Sequence, residues 1–326
     1  MSSTLHGSDL ATTFRAMATD VSVRVVNPRE GAAGAVERAR AVFAAVEAAC
    51  TRFNPDSPLM RANARPRDWH RLPVECFDAV VQAERAHRET EGLFDPRVLR
   101  TLERWGYDRT LPFETTDVAV QPGAPGGRHK RLPVATRRPW RPGLDHSNRA
   151  VRLGNEPIDL GGIGKGLAVR WAAGELDAAG TAVLVEAGGD IYAGGPGPEG
   201  AGWLIGVEDP HGGSDHVAVL AVRDSGCATS SIRVRHWKVG DRQVHHLIDP
   251  RTGQPGGQGM AAVTVVHPDP AWAEVWSKSL FLTGRGGIRH EADARDLAAL
   301  WVDEDGVVGS SRAMKPLISW AAGNAW

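Results

Sequence analysis

The stretch Asp159-Leu160-Gly161-Gly162-Ile163-Gly164-Lys165-Gly166 sets four glycines and one lysine directly ahead of a run with helical periodicity. Leu167, Trp171, Ala172, Leu176 and Ala179 recur at three- and four-residue spacing, and Gly180 follows, which predicts a helix that stops there. Glycines this dense permit positive φ and close backbone approach, and a helix N-terminus offers free N–H groups and the positive end of its dipole. The expectation is an anion site involving Asp159, Gly161 and Lys165. The order is neither of the common nucleotide fingerprints, since it lacks G-x-x-x-x-G-K-[ST] and no G-x-G-x-x-G follows a strand. Standing alone, the stretch reads equally well as a tight turn with a surface lysine.

Before this centre, Val21 to Val26 alternates and is β-branched, predicting a first strand, and Gly31 to Cys50 sets Val36, Phe43, Val46 and Cys50 on one helical face. Thr51 to Asn63 carries turn chemistry, and a second helix starts near Pro73 and stops near Gly92. Residues 108–149 are rich in Pro, Gly and Arg and show little periodicity. They read as a mobile insertion in a single domain spanning 1–326, with Arg128, Arg131, Arg137, Arg138 and Arg141 solvated.

Beyond the centre, Thr181 to Glu186 reads as a buried strand running into Gly188-Gly189-Asp190. Trp203 to Val207, Val217 to Val222, Arg233 to Val239 and Val244 to Ile248 follow at hairpin spacing and predict an antiparallel sheet. Ala261 to His267 adds a strand, and Pro268 to Leu282 a helix with Asp269 as N-cap and Pro270 in its first position. Strands grouped beside packed helices, without strict β-α-β alternation, indicate an α+β fold of antiparallel sheets packed with helices.

At 326 residues the chain is long enough for a full core, and a net charge of −1 argues against nucleic acid as the main partner. Cys50, Cys76 and Cys227 are too few and too scattered for a disulfide framework or a zinc site. No apolar run approaches the ~20 residues of a membrane span, and the first residues lack a leader pattern, so a cytoplasmic location is expected.

Several blocks occur in a fixed order: Met17-Ala18-Thr19, Phe53-Asn54-Pro55-Asp56-Ser57, Gly92-Leu93-Phe94-Asp95-Pro96, Asp159 to Gly166, Gly188-Gly189-Asp190, Ala228-Thr229-Ser230, His245 to Gly253, and Ala273-Glu274 to Gly284. Together they resemble the ApbE-type flavin transferase family from Phe14 to about Gly284. The D-L-G-G-I-x-K-G and H-x-I-D-P-R-T-G blocks are the specific ones. Members of that family take FAD, cleave its pyrophosphate with a divalent metal and attach FMN through its phosphate to a threonine or serine of a target protein.

The resemblance implies a flavin site at Met17, Phe53, the backbone around Leu93, Phe94 and Asp95, Gly161, Leu167 and Leu247. It implies His246 as the catalytic base, for which a near-neutral pKa is apt. It also implies Mg²⁺ held by the Gly164 carbonyl and by two side chains of the last helix. There the family's Asp and Thr are replaced by Glu274 and Lys278, with Ser277 between them. Lysine is no ligand for Mg²⁺ because its protonated amine has no lone pair. Glu274 and Lys278 therefore read either as a modified site or as an exposed i,i+4 ion pair. The expected reaction is Mg²⁺-dependent transfer of FMN from FAD to an acceptor protein bearing a Ser/Thr motif, with release of AMP. Two alternatives stay open: a flavin-binding protein that has lost transfer, and an FAD pyrophosphatase.

Overall fold

A computed structural model describes residues 9–109, 111, 119–120 and 139–322. Helices α1 (Ala32–Cys50), α2 (Pro58–Ala64), α3 (Val74–Glu89), α4 (Leu99–Arg104), α5 (Gly164–Glu175), α6 (Pro270–Thr283) and α7 (Ile288–Ala294) accompany an eight-stranded sheet. From edge to edge that sheet runs Leu10–Ala16, Thr19–Val26, Ala182–Ala187, Asp190–Gly194, Ser225–Ser231, Met260–His267, Ala298–Asp303 and Val308–Ser310. Each neighbouring pair is antiparallel.

The strands show why the layers form. Successive side chains point to opposite faces. Val183, Val185 and Ala187 face the core built with α1, α5 and α6, whereas Ala182 and Leu184 face a second core. Trp203–Glu208, His216–Val222 and Ile318–Ala321 form a three-stranded sheet over that second face. Both faces of the large sheet are thus covered, and the α+β expectation is met.

Several expectations need correction. Pro58–Ala64 is a helix inside the stretch read as turn chemistry, and α5 stops at Glu175, short of Gly180. The first strand is Leu10–Ala16, so Met17 and Ala18 lie in the turn between two strands and not ahead of the first. The segments between Trp203 and Ile248 do not share one sheet: His236–Val239 and Arg242–His245 form their own hairpin, and Ile248–Asp249 pairs with Gln254–Pro255. Ser225–Ser231 is a central strand whose small and polar residues carry no periodic signal. Last, the end of the supposed insertion belongs to the body. Trp140 is buried and donates through its backbone N–H to His87 Nε2 at 3.0 Å, and Gly143–Asp145 pairs with Ala150–Arg152. Arg141 is exposed there, while Arg128, Arg131, Arg137 and Arg138 lie outside the described residues.

Candidate active site

A cleft of about 290 Å³ opens where the Met17–Ala18 turn, the end of α1, the residues before α4, the glycine stretch and the 246–248 segment meet. Met17 and Ala18 have φ of 53° and 58°, a left-handed pair suited to a two-residue hairpin. The Met17 side chain packs beside Gly164, where a Cβ would sit 3.6 Å from Met17 Cε.

The glycine stretch works differently from its expectation. Gly161, Gly162, Gly164 and Gly166 all keep ordinary φ. Their use is close packing. A Cβ on Gly162 would lie 3.0 Å from the Phe94 ring and 3.6 Å from Lys278 Cδ, and one on Gly166 only 2.7 Å from Ala271 Cα and the Pro270 carbonyl. Asp159 bends the chain into the stretch by accepting from the Gly161 N–H at 2.7 Å. Asp95 caps the next turn, accepting from the Arg97 N–H at 2.9 Å while it chelates the Arg97 guanidinium.

Of the residues expected at the site, Met17, Phe53, Leu93, Phe94, Asp95, Asp159, Gly161, Gly164, Lys165, His246 and Leu247 all line this cleft, and so does Lys278. Leu167, Glu274 and Ser277 do not. Leu167 is fully buried in the helix-side core. Ser277 exchanges a hydrogen bond with Ser230 at 2.8 Å and donates to the Glu274 carbonyl at 3.0 Å, pinning α6 to the sheet.

Glu274 is buried, which removes the exposed ion pair from consideration. Its Oε2 accepts from the Gly166 N–H at 2.8 Å, and its Oε1 accepts from Lys165 at 3.1 Å and Lys278 at 3.0 Å. Lys165 also donates to Asp190. Burial by itself would raise the Glu274 carboxyl, but the two ammonium groups and the Gly166 N–H outweigh it and hold the pKa at about 2. For Lys165, burial opposes the charged form and the carboxylates of Asp190 and Glu274 overcome it, so its pKa rises.

This donor set does not fit Mg²⁺. Both Glu274 oxygens serve N–H donors, the Ser277 hydroxyl is engaged inside the core, and an ammonium stands where an oxygen ligand is needed. Among the described residues no group of three or more His, Cys, Asp or Glu gathers to hold a metal.

His246 is half-buried on the cleft wall. Its Nδ1 lies 3.2 Å from the Arg235 carbonyl, an acceptor, so Nδ1 carries the proton and Nε2 holds the lone pair. Burial, then the charges of Arg235 and Lys278, push its pKa well below the ordinary value and keep the ring neutral. The specific block that follows is a clamp. Asp249 accepts from the Arg251 N–H at 2.8 Å and from its guanidinium, and Arg251 Nη2 reaches the Leu282 carbonyl at 2.9 Å, fixing the 246–253 turn against the end of α6.

Sequence reasoning missed Arg52, Tyr107 and Arg235, all of which line the cleft. The Arg52 side chain is only 5% exposed, its carbon Cζ is 4.3 Å from the ring centres of both Phe53 and Tyr107, and its Nη1 donates to the Tyr107 carbonyl at 2.6 Å. Adjacency to Phe53 was the one available signal. Phe53 itself is 39% exposed and lies 5.8 Å from Tyr107, ring to ring.

The ApbE family model matches residues 17–301, a span that takes in every residue named in this cleft. The chain belongs to the ApbE family. Among the relatives of this ApbE-family chain is the FAD:protein FMN transferase of Haemophilus influenzae, 27% identical over 297 residues, covering 86% of this chain and 82% of that one. The FAD:protein FMN transferase of Treponema pallidum is 30% identical over 272 residues, covering 74% and 72%. The solved ApbE protein from Thermotoga maritima superposes with a TM-score of 0.80 at 25% identity, covering 94% of this chain and 98% of that one. No helix among the described residues is long and apolar enough to cross a membrane.

Proposed function

We propose that this ApbE-family protein is an FAD:protein FMN transferase that moves FMN from FAD to a serine or threonine hydroxyl of an acceptor protein and releases AMP. The observation that carries the proposal is the single cleft in which a neutral His246, with its lone pair on Nε2, shares a wall with the ammonium groups of Lys165 and Lys278 and with the aromatic faces of Phe53 and Tyr107. A flat heteroaromatic ring stacks on such faces, and a diphosphate pairs with such cations.

In this reading His246 Nε2 takes the proton of the acceptor hydroxyl. The freed oxygen bonds to the FMN phosphorus, and the bond from that phosphorus to the bridging oxygen breaks. AMP departs with the bridging oxygen in its phosphate. The neutral tautomer set by Arg235 means the base needs no prior deprotonation. Lys165 and Lys278 hold phosphate oxygens, and the Asp249–Arg251 clamp keeps His246 and Leu247 at the wall. The names of the relatives support the same activity.

The test is incubation with FAD and a protein bearing the Asp/Ser/Thr-containing acceptor motif, then denaturation and in-gel flavin fluorescence. Fluorescence retained by the denatured acceptor, and lost when its Ser/Thr is replaced by Ala, supports transfer. FAD that stays bound and unchanged contradicts it.

A further inference from the structure

The wall beside His246 carries its charges in the reverse order from a metal site. A site for Mg²⁺ turns carboxylate oxygens toward the cavity. Here the Glu274 and Asp190 side chains are 0% and 3% exposed and do not line the cleft, while those of Lys165 and Lys278, 12% and 18% exposed, do. The carboxylates are held behind the ammonium groups and serve as their anchors. Arg235 adds a third cation to the same wall.

Lys278 is more available than Lys165. An ammonium has three N–H donors. Lys165 spends one on Asp190 and one on Glu274, whereas Lys278 spends one on Glu274 at 3.0 Å and keeps two. Its stem packs against the glycine stretch, with Cδ at 3.6 Å from the Cβ position of Gly162, so the ammonium is held at one place on the wall. A compact, pre-positioned point charge with free donors is a phosphate binder.

We infer that Lys278 supplies in this chain the charge compensation that a divalent cation would supply to a bound diphosphate, so that FAD is held without metal. The inference rests on the flavin dinucleotide reading of the cleft. It differs from that reading in what it requires of the ion.

Three measurements test it on the intact protein. Calorimetric titration with FAD in EDTA and in Mg²⁺ is expected to give dissociation constants within about threefold of each other. Titration with Mn²⁺ alone, followed by electron paramagnetic resonance, is expected to show no stoichiometric bound ion. Lys278→Met is expected to weaken FAD binding in EDTA about 10- to 100-fold, the scale of one lost charge-assisted hydrogen bond, while riboflavin, which has no phosphate, binds the variant as it binds the wild type.

FAD binding that requires Mg²⁺, a stoichiometric Mn²⁺ site, or a Lys278→Met protein that binds FAD as tightly as wild type would each overturn the inference and leave the flavin reading standing. Failure of FAD to bind in either buffer would overturn both. The wild-type titrations need no variant to fold, and riboflavin binding reports whether the variant has kept its cleft.

Discussion

The backbone N–H of Gly166 donates to Glu274 Oε2 at 2.8 Å, joining the first turn of α5 to the middle of α6. One free N–H at the start of α5 is therefore met by a carboxylate of the protein itself, and the charge lining the cleft there comes from the side chains of Lys165 and Lys278. The same contact explains the glycine. With Ala271 Cα and the Pro270 carbonyl 2.7 Å from its Cβ position, α5 and α6 touch backbone to backbone there.

Gly166→Ala should therefore destabilise the protein by about 2 kcal/mol or more, because neither obstructing atom belongs to a flexible side chain. Gly174, in the same helix, has nothing within 4 Å of its Cβ position, so Gly174→Ala should stabilise by about 0.5–1 kcal/mol. Thermal melts of the two variants check this. Equal effects in the two would remove the packing explanation.

His246→Ala should slow transfer about 10²- to 10⁴-fold while FAD affinity changes only a few-fold, since a base lowers the barrier and adds little ground-state binding. Single-turnover rates and an FAD titration separate the two quantities. A transfer rate within a few-fold of wild type would move the base elsewhere.

The pH profile carries a sign. Burial and the cations Arg235 and Lys278 lower the His246 pKa, so the free protein already holds its base neutral at pH 6.5. The kcat/KM for transfer should be flat from about pH 6 to 8 as far as this residue is concerned, and should fall only in more acidic solution. FAD brings negative charge beside those cations and should raise the pKa, so the acid limb of kcat should lie at higher pH than that of kcat/KM. A kcat/KM limb centred at or above the ordinary histidine value would contradict the environment described.

Much of this was legible in the sequence, and the residues show what was not. Asp269 and Pro270 announce the start of α6, and its carboxylate does accept from the Ala271 N–H at 2.9 Å. The cleft residues were legible through the order of their blocks, since the apolar pattern alone cannot tell Met17 or Phe53 from core. Arg52 had only its adjacency to Phe53 as a signal and Arg235 had none, because their places depend on what surrounds them in space: Tyr107 against the Arg52 guanidinium and His246 against the Arg235 carbonyl, fifty-five and eleven positions away. The direction of Glu274 and Lys278 was equally hidden. Spacing of four sets them on one helical face, and only tertiary packing decides that the face is buried.

Arg52→Lys should cost about 1–3 kcal/mol of stability, because a lysine lacks the planar guanidinium that lies over both the Phe53 and Tyr107 rings while it reaches the Tyr107 carbonyl. FAD affinity should fall in parallel as Phe53 loses its support. Denaturant melts and flavin titration of this variant check both effects, and a variant as stable as wild type would make Arg52 incidental.

The most direct measurement counts products. With FAD and an acceptor protein present, AMP and covalently bound FMN should appear one for one, and AMP should not appear without the acceptor. AMP released equally fast with no acceptor, or FAD recovered intact in its presence, would contradict the assignment as a flavin transferase.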